Sequence, residues 1–110
     1  MFDGEKELWL YENQDGKAPF EIWIESLRDH KARDIIWVRL DRLKYGHAGK
    51  CRLVGMGVFE LKIFFGPGYR VYYGEENDRI IILLCGGDKS TQARDIQKAC
   101  QYWRNYKVRK

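Results

Sequence analysis

Proline, cysteine and histidine are scarce in this chain, and each shortage removes a class of protein. With only 2 prolines against 45% hydrophobic and 15% aromatic residues, the chain is neither a proline-rich linker nor a disordered segment. The three cysteines, Cys51, Cys85 and Cys100, are odd in number and form no C-x-x-C pair, so neither a disulfide framework nor a zinc ribbon is indicated. Its two histidines, His30 and His47, have no carboxylate or cysteine at ligand spacing, and no metal site or cofactor is expected. The lack of a G-x-S-x-G motif, and of any histidine in the second half, excludes a serine hydrolase of the usual pattern. Long apolar runs are absent too: Ile80–Cys85 falls far short of the ~20 residues of a membrane span. The opening Met1–Glu5 carries neither a basic nor an apolar targeting segment, so the expected location is cytoplasmic, without membrane association.

What is present is a single domain's worth of chain, 1–110, able to bury roughly two-thirds of its unfolded surface. Its formal charge of +4 conceals a segregation. Residues 1–27 hold 2 Lys against 7 Asp/Glu, residues 28–52 hold 8 Lys/Arg against 3 Asp, residues 53–85 hold 3 against 4, and residues 86–110 hold 7 against 2. Two basic segments flanking a near-neutral one suit a polyanion such as nucleic acid, and they equally suit solvated helix faces.

Apolar spacing divides the chain into elements. Glu7–Glu12 reads as a strand stopped by the turn cluster Asn13–Lys17. Pro19 opens a helix whose Phe20, Trp23, Ile24 and Leu27 share one face. A second helix runs to about Tyr45, with Ile36, Leu40 and Leu43 inward, Arg33, Arg39, Arg42 and Lys44 outside that stripe, and Gly46 ending it. A glycine-containing polar loop is expected across Gly46–Gly57. Alternation over Val58–Phe64 marks a half-buried strand, Arg70–Gly74 a second, and Arg79–Cys85 a third, buried on both faces. Ser90 is the expected N-cap of a last helix with Ile96, Ala99, Cys100 and Trp103 inside and Lys98, Arg104, Lys107, Arg109 and Lys110 largely outside. The order is β-α-α-β-β-β-α, an α+β domain with helices on one side of a mostly antiparallel four-stranded sheet.

A three-residue loop Gly66-Pro67-Gly68 would set Phe65 opposite Tyr69 and Lys62 opposite Tyr72, which puts Glu60, Lys62, Arg70 and Tyr72 on one face. Such a cluster has the groups needed for RNA cleavage by the 2′-hydroxyl. Arg70 would hold phosphate oxygens, while Lys62, Lys89 or Glu60 would move protons, a glutamate pKa raised by burial and a lysine pKa lowered by neighbouring cations. A structural charge network on a solvated sheet face uses the same residues, and residue type alone leaves both open. Gly86-Gly87-Asp88-Lys89-Ser90 occupies the place of a phosphate loop, but Asp88 stands where Walker A needs glycine, so a plain turn is expected.

The segments Val58–Ile63, Gly66-Pro67-Gly68-Tyr69-Arg70-Val71-Tyr72-Tyr73, Ile81–Gln92 and Asp95–Ala99 together resemble the RelE/ParE superfamily of bacterial type II toxin–antitoxin toxins. The pattern is most similar to the HigB-like branch of addiction-module killer proteins, and it spans Leu8 to about Trp103. This resemblance implies a compact RelE-like domain and a ribosome-dependent mRNA endoribonuclease. The implied partners are the ribosome, mRNA and a HigA-like helix-turn-helix antitoxin, with operator DNA met only through the antitoxin complex. Its implied site is Arg70, Lys62 and Lys89, with Glu60 beside them. RNA or ribosome contacts are expected from Arg39, Arg42, Lys44, Tyr72, Lys98, Arg104 and Lys107. The tyrosine or histidine that several ribosome-dependent members carry after the last strand is missing here, where Ser90, Thr91, Gln92 and Ala93 stand. The superfamily also contains ParE-type gyrase poisons, the alternative activity, beside a catalytically inert nucleic-acid-binding relic.

Overall fold

A strand with no polar face has to lie between two others. In the computed structural model, which describes residues 4–109, Ile80–Gly87 (β5) lies between Glu7–Leu10 (β1) and Tyr69–Glu76 (β4). Beyond β4 follow Val58–Ile63 (β3) and Cys51–Gly55 (β2), giving a five-stranded sheet in the order β1-β5-β4-β3-β2. The β1–β5 pair is parallel and the other pairs are antiparallel. Ile81 and Leu83 of β5 enter one core layer, Ile82 and Leu84 the other, as the apolar run requires. Lys110 and Met1–Asp3, which entered the charge and targeting arguments, lie outside the described residues.

Three helices cover this sheet. Pro19–Ser26 (α1) begins with its proline in the first turn and buries Phe20 and Ile24. His30–Lys44 (α2) is capped by Asp29, whose carboxylate accepts from the Ala32 amide, and it buries Ala32, Ile36, Leu40 and Leu43. Both pack on the face that carries Leu61, Ile63, Val71 and Tyr73. Gln92–Arg109 (α3) covers the opposite face, setting Ala99 and Trp103 against Val58, Tyr72, Ile82 and Leu84. No helix of the described residues is long and apolar enough to cross a membrane.

The domain is α+β, but four features depart from the sequence expectation. The helices lie on both faces of the sheet, because β5 and β4 carry apolar residues on both and each face needs cover. The expected Gly46–Gly57 loop contains the edge strand β2, joined to β3 through Met56 (φ 56) and Gly57 (φ 87). Two central residues at positive φ match the twist of a tight hairpin, so glycines that looked like loop markers are turn residues. The β3–β4 register is Ile63↔Tyr69, Lys62↔Arg70 and Glu60↔Tyr72, not Phe65 opposite Tyr69 or Lys62 opposite Tyr72. Here the Phe65 amide donates to the Ile63 carbonyl and the Gly68 amide to the Phe65 carbonyl, so Phe64 and Phe65 join the turn and the connection has five residues, 64–68, in place of three. Finally, Asp88 rather than Ser90 is the cap: its carboxylate accepts from the Ser90 amide at 2.8 Å and opens a 3-10 turn, Lys89–Thr91, that leads into α3.

Candidate functional site

Glu60 lies on β3 opposite Arg52 of β2 and Tyr72 of β4, so three adjacent strands project polar groups toward the side covered by α3. The first residue of α3 completes the set. Glu60 Oε1 accepts from Arg52 Nε at 3.0 Å; Oε2 accepts from Tyr72 Oη and from Gln92 Nε2, each at 2.9 Å. The residue is 2% exposed. Burial pushes its carboxyl pKa up, but the hydrogen bonds from Gln92, Arg52 and Tyr72 outweigh that and hold it below the ordinary glutamate value. The expectation of a raised pKa is therefore corrected: the Glu60 carboxyl is held toward its ionised form and organises Arg52, Tyr72 and Gln92.

Arg70, directly across from Lys62 and flanked on its other side by Gly87 of β5, is 4% exposed rather than solvated. Its place on an interior strand beneath the start of α3 is the reason. Nη1 donates to the Gly68 carbonyl at 2.8 Å, whereas Nε is buried without an acceptor, 3.7 Å from Glu60 Oε2. The Glu60 carboxylate balances the charge of this buried guanidinium as an ion pair, without a hydrogen bond to Nε.

Arg70 forms part of a cleft of about 270 Å³ lined also by Lys50, Arg52, Lys62, Glu60 and Gln92. Four cations against one carboxylate leave it strongly positive, and concave walls concentrate that field on an entering anion. Arginine's planar fork suits paired oxygens, so the chemistry favoured here is capture of a phosphate group. Lys89 sits beside Arg70 without lining the cleft: a methyl group added at Gly68 would lie 3.4 Å from Arg70 Nη1 and 4.0 Å from Lys89 Cβ.

Of the residues expected from sequence, the structure brings together Glu60, Lys62, Arg70 and Tyr72, with Lys89 adjacent. Tyr72 is fully buried, and burial together with its bond to Glu60 raises its pKa, so it supports the carboxylate and offers RNA no surface. Arg39, Arg42 and Lys44 lie on α2, across the sheet from the cleft. The guanidinium of Arg39 donates to the carbonyls of Lys62 and Ala48 at 3.0 Å each, a structural use of its fork, and Lys44 pairs with Glu5 at 3.2 Å. Arg42 is exposed. Lys98 lines a separate groove of about 480 Å³ with Trp23 and Tyr102, between α1 and α3. Arg104 and the Lys107 ammonium, which sits over Trp103, lie at least 12 residues along α3 from Gln92, roughly 18 Å at 1.5 Å per residue.

Sequence reasoning missed Lys50, Arg52 and Gln92. The signal for the first two was the polar-apolar alternation of Lys50-Cys51-Arg52-Leu53, masked by surrounding glycines. Gln92 gave no local signal, since its hydrogen bond to Glu60 spans 32 positions. The cysteines supply the cleft with no nucleophile: Cys51 borders it with its thiol bonded to the Tyr73 hydroxyl, and burial pushes the Cys85 thiol up to about 12.

No family model matches the chain. Over 80 residues, 73% of this chain and 81% of the relative, it is 46% identical to an uncharacterized protein of Haemophilus influenzae (strain ATCC 51907 / DSM 11121 / KW20 / Rd). The chain belongs to that protein's family. Wherever an 80-residue stretch falls in 110 residues it includes positions 31–80, so the similar region takes in Arg52, Glu60, Lys62, Arg70 and Tyr72.

Proposed function

We propose that the protein is the toxin of a type II toxin–antitoxin module, a HigB-like member of the RelE/ParE superfamily that cuts mRNA on the ribosome in the cytoplasm. A helix-turn-helix antitoxin encoded with it would neutralise it. The observation that carries this reading is the cleft that gathers Lys50, Arg52, Lys62 and Arg70 around the single carboxylate of Glu60. The elements follow the expected order β-α-α-β-β-β-α with one further strand, β2, at the sheet edge. In the proposed reaction the RNA 2′-oxygen attacks the adjacent phosphorus and the bond from phosphorus to the 5′-oxygen breaks, leaving a 2′,3′-cyclic phosphate and a 5′-hydroxyl. Arg70 and Arg52 stabilise the charge gathering on the phosphate oxygens. With Glu60 occupied by three donors, the proton leaving the 2′-hydroxyl and the proton reaching the 5′-oxygen fall to Lys62 and Lys89, and no metal ion or cofactor takes part.

The test is induction of wild type and Arg70→Met without antitoxin, followed by mapping of RNA 5′ ends. Methionine keeps the buried stem's packing and removes the guanidinium. Codon-phased cuts with wild type that vanish in a folded Arg70→Met protein are expected. Growth arrest with intact transcripts and DNA breaks would replace this reading by the gyrase poison, and unimpaired growth with folded wild type would leave an inert nucleic-acid-binding protein.

A further inference from the structure

Phe64, the first residue after β3, is 68% exposed, more than any other aromatic among the large exposed hydrophobics of the described residues. An isolated exposed apolar side chain is ordinary, but this one adjoins the cleft. The Lys62 ammonium lies over its ring, 4.9 Å from the centroid, and Lys62 is itself a wall of the cleft that contains Arg70. The turn that follows is held by hydrogen bonds from the Phe65 amide to Ile63 and from the Gly68 amide to Phe65, so the ring projects from a fixed hairpin. At 68% exposure the side chain keeps most of its surface available to a ligand.

We infer that Phe64 is a stacking platform for an unpaired nucleobase whose phosphate occupies the Lys50–Arg52–Lys62–Arg70 cleft. The inference rests on the reading of that cleft as a seat for RNA phosphate and adds to it a base subsite. Aromatic faces accept any base that is not already stacked in a duplex, so the class of ligand is a single-stranded nucleotide and the stacking is tolerant of sequence. Lysine placed between ring and cleft joins the two halves: its charge serves the phosphate while its position over the ring sets the side from which the base enters.

Adenosine 5′-monophosphate and ribose 5-phosphate share a phosphate and sugar and differ in the base, and neither has an internucleotide bond to cut. Titrating each into wild type, followed by amide chemical shifts, is expected to show the nucleotide binding about fivefold or more tightly. Phe64→Ala should bring the nucleotide down to the affinity of ribose 5-phosphate while leaving the latter unchanged, and Phe64→Trp should keep the preference. Equal affinities in wild type, or a preference that survives Phe64→Ala, would overturn the subsite. Absence of saturable binding by both ligands would overturn the phosphate cleft and the subsite with it. Mapping of RNA ends by wild type separates the two claims. Cuts together with equal affinities for the two ligands remove the subsite alone; tighter nucleotide binding without cuts removes the nuclease and leaves a nucleotide site.

Discussion

Glu60 is the residue on which the cleft's electrostatics turn, because one carboxylate holds Arg52, Tyr72 and Gln92 and lies 3.7 Å from Arg70. Glu60→Gln keeps the shape but loses a charge-assisted acceptor, and it should lower stability at neutral pH by about 1–3 kcal/mol in urea unfolding. The pH dependence has a defined sign. Since the folded pKa lies below the ordinary value of 4.5, the carboxylate's contribution is complete above that value and is lost as pH falls through the folded pKa. Urea unfolding from pH 6 down to pH 2 should therefore show an acid loss in wild type that is smaller in Glu60→Gln, and identical slopes would refute this role. Arg70 is the buried cation paired with that carboxylate, and its Nη1 holds the Gly68 carbonyl, so Arg70→Met should lower stability in urea unfolding by about 1–3 kcal/mol while losing phosphate binding.

At the scale of elements, α3 approaches the sheet where side chains are missing. The ring of Trp103 lies over Gly74 of β4, and a methyl group there would fall 2.5 Å from the ring carbon Cζ3. Gly74→Ala should thus cost about 1–3 kcal/mol through overpacking, seen as a lower thermal midpoint with an unchanged far-ultraviolet spectrum. An unaltered midpoint would mean that α3 is free to lift from the sheet. The α2 start depends on Asp29, and Asp29→Ala should cost about 1 kcal/mol by leaving the Ala32 amide without its acceptor. Among the elements, β5 and both helices of the hairpin were legible in sequence, because an unbroken apolar run and a 3.6-residue stripe are local patterns. The edge strand β2 was not, because its pairing with β3 follows from the positive φ of Met56 and Gly57, which residue type does not announce at methionine.

At the scale of the whole molecule the two basic segments do different work. Five of the eight cations of residues 28–52 lie on α2, across the sheet from the cleft, whereas Lys50 and Arg52, at the start of β2, line it. Arg39→Glu should destabilise the protein by detaching the Ala48 and Lys62 carbonyls, so it cannot report on RNA binding. The double reversal Arg104→Glu and Lys107→Glu touches exposed side chains, and on the proposed ribosomal target it should weaken association and reduce the salt slope by about 1 for each phosphate no longer neutralised. A salt slope equal to wild type would remove α3's far end from the binding surface.

Alternation along β3 and β4, together with an odd loop between them, was enough to place Glu60, Lys62, Arg70 and Tyr72 on one face. The true register differs from the expected one by a shift of two residues, and an even shift preserves the face. Central placement of β5 likewise followed from its own residues. Burial of that polar face, the lowered pKa of Glu60 and its pairing with Arg70 were decided only by tertiary structure. Each depends on desolvation and on donors 8, 12 and 32 positions away in the chain, Arg52, Tyr72 and Gln92, which come together only when α3 closes over the sheet.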